Sequence, residues 1–101
     1  MIKVIIERHV KRGSVLSPLL QELRVAAMHH RGYVGGETLV STQDDSFIVV
    51  ISAWQSLENW EKWFASDIRT KICKQMEPFL LEEQKVRTFR VMATEHTAAG
   101  Y

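Results

Sequence analysis

The chain is poor in the residues that staple or interrupt a fold, with one cysteine (Cys73) and two prolines among 101 residues. A lone thiol excludes an internal disulfide and a cysteine-based zinc site, and it suits a reducing compartment, so the cytoplasm is the expected location. No apolar run approaches the ~20 residues that a membrane-spanning helix needs. The opening MIKVIIERHVKR turns charged too early for a secretory signal. Charge of one sign is also missing: thirteen basic against twelve acidic residues leave a net +1. The bases are scattered and do not interleave with aromatics, so neither nucleic acid nor a membrane is an expected partner. The sequence holds no repeat, low-complexity tract, G-x-S-x-G, phosphate loop or dinucleotide fingerprint.

What is present is a balanced globular composition, 46% hydrophobic and 25% charged. It implies one domain over residues 1–92, with 93–101 expected to form a mobile tail. Ile2 to His9 is β-branched and reads as a strand. Leu16, Leu20, Leu23 and Ala27 recur at helical spacing, with Ser17-Pro18 as a candidate cap and first-turn proline and Gly32 as a stop. A second extended stretch, Tyr33 to Thr42, carries a bulge signal at Gly35-Gly36, and Gln43 to Ser46 reads as a turn. Phe47 to Ile51 is an unbroken apolar strand running on to Trp54. Ser56 caps a helical region whose apolar stripe changes phase, from Trp60, Trp63 and Phe64 to Ile68, Ile72 and Met76. That phase change predicts a break near Ala65-Ser66-Asp67, with Ser66 capping a further helix that ends before Pro78. Lys85 to Met92 reads as the last strand.

The order β-α-β-β-α-β predicts an α+β, ferredoxin-like domain with a four-stranded antiparallel sheet. Two helical layers cover one sheet face only, yet residues 47 to 51 are apolar at both parities. A second copy packed sheet to sheet is the simplest cover, so a homodimer is expected.

Several segments also carry a resemblance: the Glu7-Arg8 end of the first strand, "HHRGYVGGETL", and "FIVVISAWQSLENWEKWFASD" with Trp54, Ser56, the Trp60/Trp63 pair and Ser66. Together, over roughly residues 2 to 92, they resemble the antibiotic biosynthesis monooxygenase (ABM) domain family. The resemblance implies a dimeric α+β barrel with a pocket between sheet and helices in each subunit. It also implies cofactor-free oxygenation of aromatic substrates as one activity of the family, and haem degradation as another. The haem-degrading branch uses an Asn, a Trp and a His. Mapped by the resemblance, these fall at Glu7, Trp63 and Cys73, so two of the three are changed.

Trp63 is the first candidate site residue, as a flat wall for a planar ligand, although aromatics at helical spacing serve equally as core. Trp60 reads as helix packing that also borders the pocket, and Trp54 as the close of a strand. Glu7, sharing parity with Ile5 and His9, is expected to face the helices under that mapping and to act as a general base; a surface ion pair is its plainer reading. His9, His30, Arg69 and Cys73 complete the expected substrate-binding set. His29 and His30 are adjacent on a helix and point ~100° apart, which argues against a shared metal ion. No metal and no cofactor are expected.

The resulting expectation is a small cofactor-independent monooxygenase acting on an aromatic or quinol-like metabolite by proton abstraction and direct reaction with dioxygen. A dimeric domain that only binds or senses a small apolar molecule is the alternative, and a haem-binding or haem-degrading protein a weaker one.

Overall fold

A computed structural model describes residues 1–95. Its elements run β1 (Ile2–His9), α1 (Ser17–Met28), β2 (Tyr33–Val40), β3 (Phe47–Trp54), α2 (Leu57–Phe64), α3 (Asp67–Met76), a 3₁₀ turn (Glu77–Phe79) and β4 (Lys85–Arg90). The strands form one antiparallel sheet in the order β2-β3-β1-β4. This is the ferredoxin-like α+β arrangement expected from the element order. The expected tail falls mostly on residues 96–101, outside the described residues.

Local chemistry explains most boundaries. Ser56 caps α2 by accepting from the Asn59 N–H at 3.1 Å. The helical break falls where the phase change places it. Ser66 caps α3 by accepting from the Arg69 N–H and donates its own hydroxyl to the Trp63 carbonyl at 2.7 Å. One serine therefore serves the last turn of α2 and the first turn of α3. The β2–β3 register shifts between Tyr33 and Gly35, the irregularity signalled by the glycine pair. Gly36 must lack a side chain, since a Cβ there would lie 2.7 Å from the Ile51 carbonyl oxygen.

Three expectations need correction. Ser17 is the first residue of α1 rather than its cap; Leu16 occupies the cap position without a side-chain bond. Ile68 points outward, 52% exposed, and the buried stripe of α3 is Arg69, Ile72 and Met76. At 100° per residue, a stripe through 69, 72 and 76 is as regular as one through 68, 72 and 76. The first turn of α3 follows directly on α2, and that junction decides in favour of Arg69.

The third correction concerns the faces of β1. Ile2, Val4, Ile6, Arg8 and Val10 are all buried, whereas Lys3 is exposed and Ile5, Glu7 and His9 are partly so. The even positions face the helices and the odd ones face the open side of the sheet, the reverse of the expected parity. The core lies between them and the helices, from Leu20, Leu23 and Ala27 of α1 to Ile72 and Met76 of α3.

Candidate functional site

The cross-strand register carries this parity through the sheet. Ile6 pairs with Val50, Val4 with Ser52 and Ile2 with Trp54, so Val50, Ser52 and Trp54 also face the helices. There the sheet and helices enclose a cavity of about 50 Å³, lined by Arg8, Ser52, Trp54, Trp60, Trp63 and Arg69 among others. At ~10–15 Å³ per water centre this holds a few waters; an aromatic ring, which fills a cavity of ~150 Å³, enters only if side chains at the mouth move aside. Tyr33, Thr38 and Arg24 complete its wall, with Arg24 donating to Thr38 Oγ1 at 2.9 Å. Glu37, an exposed residue, borders it from β2.

The three tryptophans form one aromatic cluster, contrary to the expectation of separate roles. Trp54 is its centre, edge-on to Trp60 at 5.7 Å between ring centroids and stacked with Trp63 at 6.3 Å. Tyr33 and His30 also pack edge-on against Trp54, and His30 lies 5.4 Å from Trp63. Trp54 is nearly sealed, and its indole N–H donates to Ser52 Oγ at 3.1 Å, which satisfies its one buried donor.

Arg8 and Arg69 are the unusual members. They are only 1% and 3% exposed. Arg8 Nε, Nη1 and Nη2 and Arg69 Nε and Nη2 are all buried without a hydrogen-bond partner. Arg69 lies against aromatic faces, with its guanidinium carbon 4.6 Å from the centroid of Phe64 and 5.5 Å from that of Trp60. Those contacts offset part of its desolvation. Arg8 lies beside the Cys73 sulfur, a weak acceptor whose contact is too loose to satisfy any of the three guanidinium nitrogens. Burial holds its pKa below the ordinary arginine value; the Cys73 sulfur opposes that shift and the charge of Arg69 adds to it. Burial lowers Arg69 in the same way. Arginine nevertheless remains protonated at neutral pH, so the cavity wall carries two buried positive charges besides the exposed one of Arg24. Among the described residues, no carboxylate pairs with either.

The expected site residues divide accordingly. Trp60, Trp63 and Arg69 line the cavity. His30 touches its tryptophan wall without lining it, and Cys73 stands behind it, beside Arg8, facing a separate groove with Met76 and Leu80. Glu7 and His9 are apart from it. Glu7 lies on the open sheet face in an ion pair with Arg87 of β4. His9 meets Ser46 Oγ at 3.1 Å and the carboxylates of Asp44 and Glu82 at 3.4 and 3.6 Å. A role for Glu7 as base inside the pocket is thus overturned by strand geometry. Arg8, one residue further, holds the inward position. Its signal was present in the sequence: Ile2, Val4, Ile6 and Val10 make the even parity apolar throughout, leaving Arg8 the one polar side chain on that face.

A haem does not fit this arrangement. The room is far too small, the histidine position is Cys73, and the asparagine position assigned to Glu7 faces the other side of the sheet. Among the described residues, no group of three His, Cys, Asp or Glu side chains is placed to hold a metal ion, and no helix is long and apolar enough to cross a membrane.

Fold and site together define a ferredoxin-like α+β domain with a cavity between its sheet and helices. The chain belongs to the antibiotic biosynthesis monooxygenase family, whose sequence model matches residues 1–75, from β1 through most of α3. Its fold is shared with a Deinococcus radiodurans protein classed with these monooxygenases (TM-score 0.86, 11% identity, covering 96% of this chain and 98% of the other). A Nitrosomonas europaea protein of the same class is similar too (TM-score 0.83, 13% identity, 92% and 100% covered). So is SnoaB, a cofactor-independent oxygenase from Streptomyces nogalater (TM-score 0.79, 13% identity, 92% and 95% covered). A comparison with curated proteins gives no match.

Proposed function

We propose that this protein is a cofactor-independent monooxygenase for a small phenolic or quinol-like metabolite, bound in the cavity between the sheet and the helices. The observation that supports this most is the juxtaposition of a tryptophan wall (Trp54, Trp60, Trp63) with the unpaired guanidiniums of Arg8 and Arg69. Indole faces favour a planar ring. Buried positive charge favours the ionised form of a phenol or enol and lowers its pKa. That anion is the electron-rich species able to pass an electron to dioxygen directly.

In this reading the substrate proton leaves to solvent at the cavity mouth, and Arg8 and Arg69 hold the resulting oxyanion. Electron transfer to dioxygen and recombination then form a carbon–oxygen bond, giving a hydroperoxide at the reacting carbon. Loss of water from it leaves a carbonyl. Overall, a CH₂ group and O₂ become C=O and H₂O, with both hydrogens and all four electrons supplied by the substrate carbon. Trp63 positions the ring, and His30 supports Trp63 from behind.

Oxygen uptake over a panel of one-ring and two-ring phenols and hydroquinones tests the proposal. Turnover is expected to fall by 10-fold or more in Trp63→Ala and in Arg69→Met, while Glu7→Gln retains it. Absence of uptake across the panel would sink the reading. Among the described residues the one carboxylate residue lining the cavity, Glu37, is exposed, which favours a second reading: a domain that encloses a ligand without turning it over. It predicts ligand-dependent thermal stabilisation with no oxygen consumption.

The open sheet face bears Ile5, Phe47, Val49 and Ile51, half-buried, and Leu39 and Phe89, more than 40% exposed. We propose that a second copy of the chain covers it, forming the dimeric barrel that the family resemblance implies.

A further inference from the structure

The oxygenase reading requires a planar substrate that ionises during the reaction but does not say whether it carries a charge when it binds. The two orphaned arginines constrain it further. A guanidinium carries five N–H donors in a rigid fork matched to a two-oxygen anion. Moving one out of water without a partner costs several kcal/mol, and two neighbouring ones repel each other. Such an arrangement persists in a small domain when an anion completes it. Among the described residues the fold supplies no carboxylate to complete it: Glu7 is on the far face with Arg87, Glu58 is at the surface with Lys62, and Cys73 offers Arg8 only a sulfur. Glu37 borders the cavity but is exposed and accepts no hydrogen bond from the buried nitrogens of either arginine.

We infer that the cavity is an acid-binding site, in which Arg8 and Arg69 clamp the carboxylate of a small aromatic acid whose ring lies against the tryptophan wall. This deepens the oxygenase reading and rests on it only in taking the cavity as the ligand site. The free volume of about 50 Å³ is about a third of the ~150 Å³ that benzene occupies, so even a one-ring acid seats only as side chains at the mouth move aside, and larger acids are disfavoured. The arginines come from different elements, β1 and α3, so an anion between them also ties the last helix to the sheet.

The test compares benzoate with benzamide, a neutral molecule of nearly the same shape, by tryptophan fluorescence under nitrogen, so that binding is read without turnover. In the wild-type protein benzoate is expected to bind roughly 10- to 100-fold more tightly than benzamide, the range for hydrogen bonds to charged groups. It is also expected to raise Tm more. In Arg8→Met and in Arg69→Met the preference should shrink, and in the double variant the two probes should bind alike. Arg8→Lys and Arg69→Lys, which keep charge but lose the fork, should fall between. Cooperative unfolding of each variant confirms that it is folded.

Equal binding of the two probes to the wild-type protein, or an acid preference that survives the double substitution, would overturn the clamp while leaving the cavity as a ligand site. Oxygen uptake with neutral hydroquinones but no benzoate binding would overturn the clamp while leaving the oxygenase reading intact. Benzoate binding without oxygen uptake on any substrate supports the clamp and removes the oxygenase.

Discussion

A guanidinium sealed inside a domain of about one hundred residues is a standing cost to stability. Arg8 has all three of its nitrogens buried without partners, and desolvation pulls its pKa down. Replacing an unpaired buried charge with an apolar side chain of similar length commonly stabilises. Arg8→Met is therefore expected to raise the stability of the ligand-free protein by about 1 kcal/mol or more, roughly 4–8 °C in Tm per kcal/mol. Thermal unfolding without added anions checks this; a fall in Tm would mean that Arg8 has a partner in solution. The neighbouring tryptophan has the opposite expectation. Trp54→Ala removes the centre of the aromatic cluster and should cost about 3–5 kcal/mol, leaving little folded protein.

At the scale of elements, the site depends on junctions more than on helix length. The α2–α3 break at Ser66 turns Arg69 inward, and the loop after α1 brings Tyr33 onto Trp54. Gly32 makes that loop possible. Its φ is +88°, and a Cβ there would lie 2.3–2.5 Å from the Asn59 side chain. Gly32→Ala is expected to cost about 1–3 kcal/mol from backbone strain and this clash together. Asn59→Gly relieves the clash but not the strain, and itself costs about 1 kcal/mol within the helix. In a double-mutant cycle by urea unfolding, the two changes should therefore be less destabilising together than their sum. Additivity would show that Asn59 already moves aside. Sequence reading located Gly32 as a helix stop but not its close approach to Asn59, because the two meet across a fold rather than along a chain.

At the scale of the whole molecule, one sheet face is covered by helices and the other is not. β3 runs through the sheet interior with Phe47, Val49 and Ile51 on the open side. Ile51→Lys places a charge in the middle of that side. Sedimentation of the wild-type protein is expected at twice the chain mass, with Ile51→Lys shifted to the monomer and lowered in Tm. A wild-type monomer would refute the sheet-to-sheet dimer.

Periodicity and capping, read from the sequence alone, determined the order of elements, the break at Ser66 and the fold class, because these depend on interactions within a few residues of each other. Family motifs added the place of the pocket. The tertiary structure alone decided what the pocket contains. A strand has two faces, and only the packed helices tell which one is inside. That choice removes Glu7, brings in Arg8 and sets it beside Arg69, sixty-one residues away in the chain. The tryptophans became one cluster for the same reason, since Trp54 belongs to the sheet, Trp60 and Trp63 to α2, and their distance is a property of packing rather than of spacing.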